Sequence, residues 1–210
     1  MRTALFYDSE TSGLPLFNDP SEDPRQPHIV QLGARLVDLE QRKIISTLDV
    51  IISPEGWEIP EEVSKVHGIT TELAKAYGVS ESLALGMLLD LWGCADVRIG
   101  HNETFDARIV RIAQHRFDDS DLEAWKGGAA ECTAKLSTPI LKLPPTDKMR
   151  RAGRTHHKTA NLGEAYRFFT GRELEGAHSA LVDVDACMAV YFAIADGRRE
   201  AVQAEQLQAA

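Results

Sequence analysis

The chain has 210 residues, 43% apolar and 26% charged, a globular composition long enough to bury one core, which sets aside a disordered or fibrous protein. No apolar stretch approaches the roughly 18 residues of a membrane span and no charged start runs into an apolar segment, so a soluble, unexported, cytoplasmic protein is expected. The net charge of −9 argues, as an average, against a polyanionic partner.

In chain order, RTALFY suits a buried strand ending at Asp8, with turn signals at Gly13 and Pro15. Pro15, Pro20, Pro24 and Pro27 keep the following segment out of helix and central strand. Two β-branched stretches, 28–38 and 43–53, flank LEQR and predict a hairpin that continues a three-stranded meander. The pattern then turns helical. PEEVSKVHG closes on Gly68, TTELAKAYG has threonines available as caps and closes on Gly78, and SESLALGMLLDLW opens on Ser80 with a wide apolar face. DVRIGH predicts a short buried strand, and TFDARIVRIAQHRF a helix with Phe105, Ile109 and Ile112 on one side. A short helix over 121–126, a helix in TAKLSTPILKL, a basic proline-containing loop, a helix in NLGEAYRFFTG and a long helix over about 179–195 complete the fold. Residues 1–196 are expected to form one domain, and 197–210 a frayed or disordered tail.

Cys94, Cys132 and Cys187 are odd in number and widely spaced, so neither a disulfide nor a zinc site is expected. The charge is unevenly spread. Lys142, Lys148, Arg150, Arg151, Arg154 and Lys158 face the single acid Asp147, giving this segment a net +5 and leaving −14 for the remainder. Such a segment is either a solvated loop or a phosphate-binding surface.

Asp8 and Glu10 lie two apart at the end of the first strand, so strand periodicity projects both carboxylates from one face. Two acids so placed repel unless a cation sits between them, which makes them candidates for a hard ion such as Mg²⁺ or Mn²⁺. Asp106 stands in the first turn of a predicted helix, where an acid also complements the helix dipole. His178 precedes the last helix, where a polar cap would serve equally. Asp183 lies within that helix, and Asp185, about 200° further round the axis, cannot face the same point.

DSETSGL, HNETFDARI and HSALVDVDA, in that order, resemble the three exonuclease motifs of the DnaQ-like family, the histidine-containing DEDD exonucleases that include bacterial proofreading subunits and ribonuclease T. HGIT and NLGEAYRFFTG resemble further segments of that family, and the resemblance runs over about 4–194. It implies an α/β, ribonuclease H-like fold, a mixed five-stranded sheet flanked by helices. It also implies a 3′→5′ exonuclease in which Asp8, Glu10, Asp106 and Asp183 hold two divalent ions, Mg²⁺ with Mn²⁺ as substitute, and His178 is the general base. In such sites one ion activates water and the other holds the leaving 3′ oxygen. The family usually has threonine where Ser9 and Ser12 stand, a replacement that keeps the hydroxyl and touches only fine substrate contacts.

Thr11, Gly13 and Leu14 follow the acids closely enough to line the terminal-nucleotide pocket. His67, Asn102 and Phe105 are further substrate candidates, although His67 could be a helix end and Phe105 core. Arg150, Arg151, Arg154 and Lys158 are candidates for guiding the strand in. The expected partner is a nucleic-acid 3′ end, DNA favoured over RNA because DSETSGLPLF and its proline-rich insertion resemble DNA-acting members. An exoribonuclease of the ribonuclease T or oligoribonuclease type and a catalytically silent binding module on the same fold are the alternatives. Members of the family occur as monomers and as dimers, so no oligomeric state or polymerase partner is assigned.

Overall fold

The structure, a computed structural model, describes the backbone of residues 2–208 and the side chains of residues 2–197. One mixed sheet forms the spine, in the order β3-β2-β1-β4-β5. Strands β1 (Thr3–Thr11), β2 (Ile29–Asp38) and β3 (Lys43–Ile51) are the antiparallel meander, while β4 (Val97–Gly100) runs parallel to β1 and β5 (Ala130–Cys132) parallel to β4.

The continuous apolar run of β1 reflects its central place, covered on both faces. Leu5 and Tyr7 point into a core with Leu85 and Leu88 of α3 (Glu81–Gly93), Ile109 and Ile112 of α4 (Glu103–Phe117), and Trp125 of α5 (Leu122–Gly127). Ala4 and Phe6 point the other way, onto Val184 and Cys187 of the last helix, α9 (Ala180–Gln208). That helix rests directly on β2 at Gly33, where a Cβ would stand 2.6 Å from the Leu181 nitrogen and 2.7 Å from the Ala180 carbonyl carbon. Only glycine permits that approach.

The helix signals hold locally. Gly68 ends α1 (Glu61–His67) in the left-handed conformation, and Thr70 and Ser80 cap α2 (Thr71–Tyr77) and α3 through bonds from the nitrogens of Leu73 and Leu83. Asn161 and Glu164 form a capping box on α8 (Leu162–Thr170). Between α5 and α8 lie α6 (Thr133–Leu141) and α7 (Asp147–Arg151).

Three expectations change. β1 continues to Thr11, past the end of its apolar run, because the ladder to β2 persists as far as Thr11 opposite Ile29, with a bulge after Glu10. The basic segment, read as a loop, contains the short helix α7 with Thr146 as its cap. The backbone of α9 runs to Gln208, beyond Ala195 where the pattern ended it. Side chains after Gly197 lie outside the described residues, and the domain boundary there remains a proposal.

The proline-rich segment is folded around Gln26. Its side-chain oxygen accepts from the Leu16 nitrogen at 2.9 Å and its amide donates to the Pro20 carbonyl at 2.9 Å. Arg108 of α4 donates to the carbonyls of Leu16 and Asp19, and Arg116 to that of Gln26. Ser12 and His28 close its root with two bonds of 2.9 Å. No helix among the described residues is long and apolar enough to cross a membrane.

Candidate active site

Asp8 and Glu10 leave β1 on the face that carries Ala4 and Phe6, the face packed by α9. Asp183, in the first turn of α9, meets them there. Ligating atoms of Glu10, His178 and Asp183 all lie within 4.8 Å of one another. Ser9 points to the opposite face and reaches Asp106 in the first turn of α4, the backbone nitrogen at 3.1 Å and the hydroxyl at 2.7 Å both donating to Oδ1. Sheet alternation therefore sends two acids toward α9, while the intervening serine holds the acid that comes from α4.

Electrostatics tie the four acids together. Asp8 is raised well above the usual carboxylate range, first by burial and then by the charges of Asp106, Asp183 and Glu10. Burial lifts Asp106 to about 7 even though the Ser9 bonds oppose the rise. Glu10 is raised by burial and by Asp183, and Asp183 by burial, with His178 opposing both shifts. Among the described residues, no lysine or arginine stands among the leading influences on any of the four. Asp183 Oδ1 is buried without a hydrogen-bond partner. A cluster of carboxylate oxygens with one imidazole, in need of positive charge, fits a hard divalent cation such as Mg²⁺ or Mn²⁺.

His178 has φ = 67°, a left-handed conformation uncommon outside glycine. Its backbone nitrogen donates to Asp183 Oδ2 at 3.1 Å, which holds the residue in this strained geometry. His67, at the end of α1, accepts from the Ile69 nitrogen through Nδ1, while its Nε2 is buried without a partner. Burial lowers its pKa and the charge of His178 lowers it further, which places the two imidazoles in one electrostatic neighbourhood.

The remaining candidates divide. Thr11 donates its hydroxyl to the Gly13 carbonyl at 2.8 Å and so shapes the turn; Leu14 stands 74% exposed just beyond it. Asn102 is exposed and left-handed at the start of α4, with no side-chain cap bond, whereas Phe105 packs half-buried against the main core. Arg150 pairs with Asp147, and Lys158 with Glu164 of the α8 capping box; Arg151 and Arg154 are exposed. A cavity of about 360 Å³ borders His178 and Asp183 and is lined also by Asn161, the cap of α8, and by Leu162 and Arg167 of that helix. The basic segment therefore ends three residues before a wall of this cavity.

Two contributions escaped the sequence. Ser9 holds the acid Asp106, as strand alternation beside a covering helix could have indicated. Asp185 pairs with Arg35 of β2, away from Glu10 and His178.

An exonuclease family model, RNase_T, matches residues 5–191. None of the curated proteins matches the chain. Among solved structures the chain is similar to Escherichia coli exonuclease I in complex with a dT13 oligonucleotide, at 20% identity and TM-score 0.68, covering 91% of this chain and 40% of that one. It is similar also to the complex with dA16, at 21% identity, TM-score 0.70 and coverage of 92% and 41%. A product-bound structure of exonuclease I matches at 21% identity, TM-score 0.66 and coverage of 92% and 43%. The chain thus spans about two-fifths of the length of these exonuclease I chains, and the likeness is one of fold, the ribonuclease H-like one.

Proposed function

Because the chain belongs to the RNase_T exonuclease family, we propose that it removes nucleoside monophosphates from the 3′ end of DNA, single strands in preference, by metal-dependent phosphodiester hydrolysis. The observation that carries this reading is the convergence of Asp8, Glu10, Asp106 and Asp183, all raised in pKa by burial, with His178 beside them. The four carboxylates would hold two divalent ions, Mg²⁺ with Mn²⁺ as substitute. Ions bound there supply the positive charge that the phosphate and the departing 3′ oxygen require.

The chain's own groups do the rest. His178 accepts a proton from the attacking water at an imidazole nitrogen, a transfer suited to histidine near neutral pH. Ser9 keeps Asp106 turned toward Asp8. Thr11, Gly13 and Leu14 line the pocket for the terminal nucleotide, with His67, Asn102 and Phe105 around it. Arg150, Arg151, Arg154 and Lys158 draw the strand toward the cavity. The DNA preference is supported by exonuclease I, whose solved forms include complexes with dT13 and dA16 and a zinc-bound complex with single-stranded DNA.

The test is timed digestion of 5′-labelled single-stranded DNA, duplex DNA and RNA with Mg²⁺, Mn²⁺ or EDTA, comparing the wild type with Asp8→Ala. Metal-dependent shortening from the 3′ end of single-stranded DNA, abolished in the variant, is expected. Equal activity in the variant, or internal cuts throughout, would overturn the site or the reaction; faster RNA shortening would overturn the substrate.

A further inference from the structure

We propose that Tyr7, Arg98 and Glu103 form a buried clasp that sets the roll of α4 and thereby aims Asp106 into the site, making Tyr7 and Glu103 positioning residues for the metal-binding acids. The inference rests on the proposed function, since it concerns how that site is held.

Tyr7 and Ser9 are two apart on β1 and point to the same face; Glu103 and Asp106 are three apart on α4 and share one side of its first turn. Each strand residue holds one helix residue. The Tyr7 hydroxyl donates to Glu103 Oε1 at 3.0 Å, and Ser9 donates to Asp106 Oδ1 through both its nitrogen and its hydroxyl. Arg98, from β4, adds a third grip, its Nε donating to the same Glu103 oxygen at 2.6 Å. Arg98 is 5% exposed, Glu103 5% and Tyr7 1%.

The guanidinium is held in turn. Its Nη1 donates to the Trp125 carbonyl at 2.5 Å and it lies 4.5 Å over the Trp125 ring, while the Trp125 indole donates to the carbonyl of Ala107, the neighbour of Asp106. The start of α4 is thus fixed at Glu103, Asp106 and Ala107 by β1, β4 and α5.

A buried ion pair is a poor device for stability, because desolvation of two charges offsets most of their attraction. Its directional bonds do specify orientation. With side-chain atoms about 6 Å from a helix axis, a roll of about 10° would carry the Asp106 carboxylate about 1 Å, enough to cost up to about 100-fold in rate at a reacting centre. Ser9 holds one oxygen of Asp106, and the clasp adds a second directional attachment three residues earlier on α4, so the two together define the roll of its first turn.

Tyr7→Phe deletes one hydroxyl and leaves the ring packed against Trp125, so it tests the clasp with the core intact. Mn²⁺ binding to the wild type, Tyr7→Phe, Ser9→Ala and the double variant would be followed by electron paramagnetic resonance, alongside kcat and KM on single-stranded DNA. Tyr7→Phe is expected to weaken Mn²⁺ binding and lower kcat about tenfold with KM within about twofold. The two substitutions should be less than additive in Mn²⁺ affinity, because both act on one carboxylate. Unchanged Mn²⁺ affinity in Tyr7→Phe, or strict additivity, would overturn the clasp. Asp8→Ala keeps the two failures apart: if it binds Mn²⁺ as the wild type does, the metal site itself is wrong; if it does not while Tyr7→Phe is unaffected, only the clasp is.

Discussion

Arg35 on β2 holds Asp185 on α9 through two bonds, Nε to Oδ1 at 2.6 Å and Nη2 to Oδ2 at 2.8 Å. Asp183, two residues earlier and on the other side of the helix, lies with Glu10 and His178. The two acids should therefore separate by experiment. Asp183→Asn is expected to lower activity by more than about 100-fold and to impair Mn²⁺ binding, whereas Asp185→Asn should retain activity and lose at most about 1 kcal/mol of stability, as for an accessible pair. Calorimetry with a digestion assay checks this, and a larger activity loss for Asp185→Asn would reverse the assignment.

The seat of α9 on β2 carries a second prediction. Gln31 accepts from the Ala180 nitrogen at 3.1 Å and donates to Asp49 at 2.8 Å, beside the close approach at Gly33. Gly33→Ala should push the start of α9 off the sheet, costing about 1–3 kcal/mol by overpacking. Activity should fall further than stability alone explains, since His178 and Asp183 move with that turn. Urea unfolding and kcat at a temperature where the variant remains folded measure the two effects.

The raised acids set a pH dependence. Asp106 stands at about 7 when folded against an ordinary 3.8, so between those values the folded protein binds a proton that the unfolded chain has released. The contribution of Asp106 to the stability of the metal-free protein is then full below the window and lost as pH rises through it. Asp8, Glu10 and Asp183 shift in the same direction. Thermal melts in EDTA from about pH 4 to about pH 8 should show Tm falling with pH, less steeply with Mg²⁺ or in Asp106→Asn. A Tm in EDTA that depends on pH in the same way in the wild type and in Asp106→Asn would contradict the burial of that acid among the others.

The basic segment divides by its ion pairs. Arg151 and Arg154 are exposed, whereas Lys158 is joined to Glu164, which also receives the Asn161 nitrogen in the α8 capping box. Changing Arg151 and Arg154 to glutamine should weaken single-stranded DNA binding and flatten its salt dependence without moving Tm. Lys158→Gln should lower Tm as well. Fluorescence anisotropy over a salt series provides the reading, and unaltered binding in the arginine variant would remove the segment from the interface.

Much of the architecture was legible because it has period. The meander, the helix caps at Thr70 and Ser80, and the shared face of Asp8 and Glu10 all follow from local pattern. β5 did not, since three residues paired only with β4 carry no alternation to read. Helix α7 was masked by charges and prolines that look like loop. At the site, nothing near Asp106 in sequence names Ser9, and nothing near Glu103 names Tyr7. Such bonds join segments more than ninety residues apart and emerge only once α4 lies across β1.

The glycine that lets α9 touch the sheet also has a consequence in time. Acids from the first strand meet an acid and a histidine borne at the start of the last helix, so a chain leaving the ribosome displays Asp8, Glu10 and Asp106 well before the elements that complete the cluster emerge. On the proposed function, the cluster of acids stays incomplete in a growing polypeptide until α9 closes onto β2. Nascent chains arrested before Ala180 are expected to hold no Mn²⁺, and those released after α9 to hold it fully.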